Sequence, residues 1–71
     1  MRIPFADAFQ INLDGSVTPK IEIHFEGHVL KPGFSIQPGE WIGELNISAH
    51  FGKDLEVEEQ GHAFLLMGFY P

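Results

Sequence analysis

Lys20–Val29 reads K-I-E-I-H-F-E-G-H-V, and its parity leaves little freedom of fold. Ile21, Ile23, Phe25 and Val29 occupy odd positions, while Lys20, Glu22, His24, Glu26 and His28 occupy even ones. Side chains alternate across a β-strand, so this pattern predicts a strand with one dry face and one face of carboxylates and imidazoles. Gly27 reads as a bulge within that strand. Glu44–Phe51 repeats the pattern, with Leu45, Ile47, Ala49 and Phe51 against Glu44, Asn46, Ser48 and His50. These two strands supply the halves of an expected β core.

The other segments fill in around them. Ala6–Asp14 also alternates and is read as a strand, although Phe5, Phe9 and Leu13 at intervals of four keep a helix as its rival. Asp14-Gly15 marks a turn, and Ser16–Thr18 starts a return strand that Pro19 confines to an edge, a bulge or a strand entry. Leu30–Gly43 holds Pro32-Gly33 and Pro38-Gly39, each a type II turn signal, because proline presets the first turn dihedral and glycine supplies the positive one. Phe34, Ile36, Trp41 and Ile42 stand among them. A solvated loop would not carry these, so the connection is expected to fold back over the sheet, with a short strand near Phe34–Gln37. Leu55–Gln60 reads as an exposed strand whose glutamates blunt an edge, or as a short helix. Ala63–Tyr70 is apolar at both parities, which predicts a strand covered on both sides. Its second cover is either the Pro-Gly connection or another subunit, and the subunit is favoured, because an open apolar face of that length invites aggregation.

The whole is therefore expected to be all-β: a small antiparallel meander of about five strands, forming a barrel or a half-sandwich and completed by oligomerisation. Size supports that last step. A chain of 71 residues makes one small domain over residues 1–71. Such a chain buries only about 60% of its unfolded surface, and it has no cysteine for disulfides or thiolate metal sites. Homodimerisation or higher assembly remains as the source of extra burial.

Charge narrows the function. The net charge is −6, with only Arg2, Lys20, Lys31 and Lys53 as basic residues, and these are scattered. Phosphate neutralisation needs a clustered basic surface, so nucleic-acid binding is not expected. An acidic inhibitor that mimics nucleic acid through Asp54, Glu56, Glu58 and Glu59 is an alternative. The first residues carry one charge and no long apolar core, and no run approaches the ~20 apolar residues of a membrane helix, so the chain is expected to be cytoplasmic and away from membranes.

Chemistry-bearing residues gather on the even face of Lys20–His28. Residues four apart in a strand lie ~13 Å apart, so His24 and His28 cannot share an ion, whereas Glu26 lies ~7 Å from either. A further ligand from His50 would complete a zinc-like N/O set if the strands paired in the right register. His62, after a glycine, is read as capping a turn. The same residues with Glu22 and Glu44 are the candidate members of an acid–base enzyme, which would need the Leu30–Gly43 segment as a lid. No metal-binding, nucleophile-elbow or phosphate-cradle motif is present. No cofactor is implied.

Phe34 and Trp41 flank the two Pro-Gly turns. Aromatics on rigid turns make binding anchors, or else plug the open end of a barrel. The leading reading is thus a small, non-catalytic binding domain, acting on itself and on a protein or small ligand. Its contact residues are Glu22, His24, Glu26, His28, Phe34, Trp41 and His50.

Overall fold

The computed structural model describes residues 1–71, and it is an all-β chain built on one five-stranded sheet. The elements run β1 (Arg2–Ile3), a single helical turn α1 (Phe5–Ala8), β2 (Phe9–Ile11), β3 (Val17–Pro19), β4 (Glu22–Phe25), β5 (His28–Leu30), β6 (Trp41–Ile42) and β7 (Leu45–Asn46). A 3-10 turn at Ile47–His50 follows, then β8 (Leu55–Gln60) and β9 (Ala63–Phe69). The main sheet has the order β1-β8-β9-β4-β5, and β2-β3 and β6-β7 form two-stranded ribbons. None of the three sheets closes into a barrel.

The sheet is not a pure antiparallel meander. β8 and β9 form a long hairpin across Gly61-His62, and β9 then lies parallel to β4, with Ile23 opposite Phe64 and His24 opposite Leu65. A parallel neighbour requires a long connection, here everything from β5 to β8. β9 becomes the central strand, bonded on both sides. Phe64, Leu66 and Phe69 face the core, while Leu65 and Met67 face out. The Pro-Gly connection lies on the core side, so it does not cover that outer face. The chain's own long side chains cover one end of it: the Arg2 guanidinium sits 4.0 Å from the Tyr70 ring centroid, and the Tyr70 hydroxyl donates to the Glu56 carboxylate. Met67 stays 58% exposed.

Lys20–Val29 is the largest departure from expectation. It is not one bulged strand but a hairpin, in which β4 and β5 pair antiparallel across Glu26-Gly27. Both turn residues have positive φ, 47° at Glu26 and 81° at Gly27. This is the type I′ pattern, whose twist matches that of the strands it joins. Asn-Gly and Asp-Gly announce such turns, and glutamate at the first position hid this one. The turn also changes the face assignment. Phe25 pairs with His28 and His24 with Val29, so His28 moves to the core side and Val29 to the outer side.

Two further expected strands yield to local competitors. At the N-terminus, the four-residue spacing wins first: α1 buries Phe5 and Ala8, and Phe9, where β2 begins, packs on Phe5 with ring centroids 5.0 Å apart. In Glu44–Phe51 only Leu45–Asn46 is extended. The Asn46 side chain accepts a hydrogen bond from the Ser48 amide at 3.1 Å and starts the 3-10 turn instead. Both Pro-Gly sites do form tight turns, closed by Phe34 N–H to Lys31 C=O and Glu40 N–H to Gln37 C=O. Gly33 at φ 84° and Gly39 at φ 78° supply the positive dihedral of type II. Between them, Ile36 exchanges both backbone bonds with Val17 and is buried.

One cluster of 12 buried residues holds these parts together. Ile23 and Leu30 come from the hairpin, Leu55, Val57 and Leu66 from β8 and β9, and Ile36, Leu45 and Ile47 from the connection. No helix is long and apolar enough to cross a membrane.

Candidate functional site

The seven candidate residues fall into three places. His28 and Phe34 share one groove, with Trp41 beside it. Glu22 and His24 meet on the opposite, outer face. His50 and Glu26 stand apart from both.

The groove runs beside β5, the open edge of the main sheet. It has a volume of about 440 Å³ and is lined by His28, Val29, Leu30, Lys31, Phe34, Glu40 and Ile42. Three elements build it. The type I′ turn sets β5 antiparallel to β4 and leaves its far side open. The Lys31–Phe34 turn, anchored by Gly33 N–H to Pro19 C=O, holds Phe34 beside it. The β6–β7 ribbon sends Ile42 inward toward the core, while Trp41, at the adjacent position, points outward. The fit between ribbon and hairpin is close: a Cβ on Gly43 would sit 3.2 Å from His28 Nε2. Around this groove Val29 is 48% exposed, and Phe34 and Trp41 are each 63% exposed. Phe34 and Trp41 therefore plug nothing. Large apolar groups left in water at an open strand edge are a costly arrangement for a chain this small.

The second cluster lies on the outer sheet face. Glu22 Oε2 is 2.7 Å from His24 Nε2 and 3.3 Å from His62 Nε2. His62 thus meets a carboxylate rather than capping its turn. The parallel pairing of Glu22 with Ala63 brings the β8–β9 turn, and His62 with it, to the start of β4. The hydrogen bond from His24 holds the Glu22 carboxyl below the usual carboxylate range, with smaller help from the charges of His62 and His24. Glu22 and His24 are half-buried and His62 is exposed, and none of the grooves on the surface includes them.

His50 is a packing residue. Its ring stacks on Phe69 at 4.4 Å and 3°, and its buried Nδ1 has no hydrogen-bond partner. Burial, with the Lys53 charge as a lesser cause, holds its pKa below the ordinary histidine value. Glu26 occupies the exposed tip of the hairpin. His24, Glu26, His28 and His50 therefore do not converge, and no three His, Asp or Glu side chains are arranged to hold a metal ion.

The acidic row of β8 is also divided. Asp54 pairs with Arg2 at 2.8 Å, and Glu56 binds the Met1 amino group and the Tyr70 hydroxyl. The amino-group hydrogen bond, then that of Tyr70, lowers the Glu56 pKa. Glu58 and Glu59 remain exposed, but as consecutive strand residues they point to opposite faces. They do not form one phosphate-like array.

Two functional candidates escaped the sequence. Parity alone puts Val29 on the dry face, because no residue marks the turn at Glu26, and nothing local to His62 signals its long-range partner. Compared with known proteins, the chain matches no family model, and no curated protein or solved structure is similar enough to it to count as a match.

Proposed function

We propose that this chain is a small, non-catalytic binding domain. Its contact surface combines β5 with the Lys31–Trp41 loop. The observation that carries the reading is a groove at an open sheet edge lined by exposed Val29 and Phe34, with exposed Trp41 one residue from its Ile42 wall. Binding hot spots favour this composition: aromatic anchors on preset turns, an apolar floor, and a sparse charged rim of Lys31 and Glu40. The free strand edge adds backbone donors and acceptors, which suit an extended protein segment.

Trp41 is the only tryptophan and adjoins the groove-lining Ile42, so its fluorescence is a probe next to this surface. The test is to purify whatever the chain captures, then titrate it back against wild type and Phe34→Ala/Trp41→Ala. Affinity should fall by about tenfold or more in the double variant, with its circular dichroism unchanged, and wild-type Trp41 emission should shift to the blue on binding. Equal affinity in the two proteins would refute the assignment of this surface.

A further inference from the structure

The two edges of the main sheet are not alike. β1 is two residues long, carries the Arg2 charge and is followed by Pro4. Short length, charge and proline all discourage a strand from pairing there. β5 is also short, three residues followed by Lys31 and Pro32, but its central residue Val29 is uncharged, exposed and free of proline. The hairpin register also determines which backbone groups are free. In a two-residue type I′ hairpin the residues flanking the turn exchange hydrogen bonds, so Phe25–His28 and Ile23–Leu30 are bonded pairs and His24–Val29 is not. The N–H and C=O of Val29 therefore point away from β4. No backbone or side-chain group elsewhere in the chain bonds them.

A single free donor and acceptor on one residue is a self-complementary pattern. We infer that two copies of this chain pair through β5, antiparallel about a two-fold axis at Val29, to give one continuous sheet. Each Val29 exchanges both hydrogen bonds with Val29 of the second copy, which is the bonded-pair geometry of an antiparallel ladder. His28 then faces Leu30 of the second copy. Lys31 falls opposite Gly27 of the second copy and next to its Glu26, and by symmetry Glu26 lies next to the other Lys31. Both side chains are exposed in the free chain. The groove beside β5 leaves room for the incoming strand along this edge.

Charge selects this surface over the outer sheet face. Glu26–Lys31 carries one carboxylate and one ammonium, in a chain of net charge −6. Stacking two outer faces would instead bring the set Glu22, Glu56 and Glu58 of one copy against the same set of the other. The inference rests on the binding reading above, since it names one partner for that same surface.

A residue on a two-fold axis faces its own copy, which makes a charge-swap experiment decisive. Sedimentation velocity up to about 0.5 mM should show a reversible wild-type dimer. Val29→Lys alone and Val29→Glu alone should each weaken it by about tenfold or more, and an equimolar mixture should restore it as a heterodimer. Val29 lies on an exposed strand edge, so both variants should fold, and thermal melts verify this. The chain has no native cysteine, so Val29→Cys under mild oxidant should give a disulfide-linked dimer and Met67→Cys should not. A wild-type chain that stays monomeric over that range would overturn the inference, as would a dimer indifferent to the charge swap or one crosslinked only through Met67→Cys. A monomer whose captured partner still depends on Phe34 and Trp41 would leave the binding surface standing and assign β5 to a foreign strand. Loss of that dependence would remove the binding reading itself.

Discussion

Glu26→Asn should stabilise this protein. Glu26 has φ 47°, the left-handed region, where its Cβ crowds the following carbonyl oxygen. That conformation costs an ordinary residue about 1–2 kcal/mol, and asparagine tolerates it better than most. Asn-Gly is also the preferred pair for a type I′ turn. Asparagine lowers that cost without abolishing it, so the expected gain is about 0.5–1 kcal/mol. In a domain of this size each kcal/mol moves Tm by about 4–8 °C. The assay is thermal and urea unfolding at a low, fixed chain concentration, with Glu26→Val as the companion. Valine is β-branched and should lower stability at positive φ. The opposite order would hold if Lys20–Val29 were one extended strand, where valine is favoured and asparagine disfavoured on a scale of about 1 kcal/mol. A stabilised Glu26→Val with a destabilised Glu26→Asn would refute the hairpin, and with it the open edge.

Other outcomes follow from the core and the titrating groups. Ile23 is fully buried between the hairpin and β9, so Ile23→Ala should cost about 3 kcal/mol in urea unfolding, through lost burial and a residual cavity. Burial holds the His50 pKa below its ordinary 6.5, so its contribution is complete above that pH and is lost as pH falls through the lower folded value. His50→Phe should keep the stack on Phe69 and flatten stability against pH on the acid side of neutrality. Glu22 is held below its ordinary 4.5 by the His24 hydrogen bond, so its stabilisation is present above that value and lost as pH falls through the folded pKa. A carboxyl-detected NMR titration of His24→Ala should move the Glu22 midpoint up toward the ordinary value.

Much of this fold was legible in the sequence. The β class, both type II turns and the return of the Pro-Gly connection onto the sheet follow from alternation and from proline and glycine chemistry. What stayed hidden had a physical cause in each case. The hairpin turn uses a residue that type I′ turns disfavour, and missing it reversed the faces of His28 and Val29. The Asn46 side chain ended a strand that parity alone would continue to Phe51. The parallel β4–β9 pairing joins segments about 40 residues apart, which no local pattern encodes. The same pairing created the Glu22–His24–His62 contact, so that cluster was hidden for the same reason. The place of Phe34 and Trp41 beside the turns left two roles open, exposed anchor or barrel plug, and their exposure in the fold removes the plug; the groove that joins Phe34 to His28 was not legible.

The open edge is tested most directly by amide hydrogen exchange across His28, Val29 and Leu30 in dilute protein. The hairpin register buries the N–H of His28 and Leu30 in bonds to Phe25 and Ile23, and turns that of Val29 outward. The expected pattern is slow, fast, slow. Three equally protected amides would mean that the chain already covers its own edge, and three equally fast ones that the hairpin does not form; either result would contradict the account.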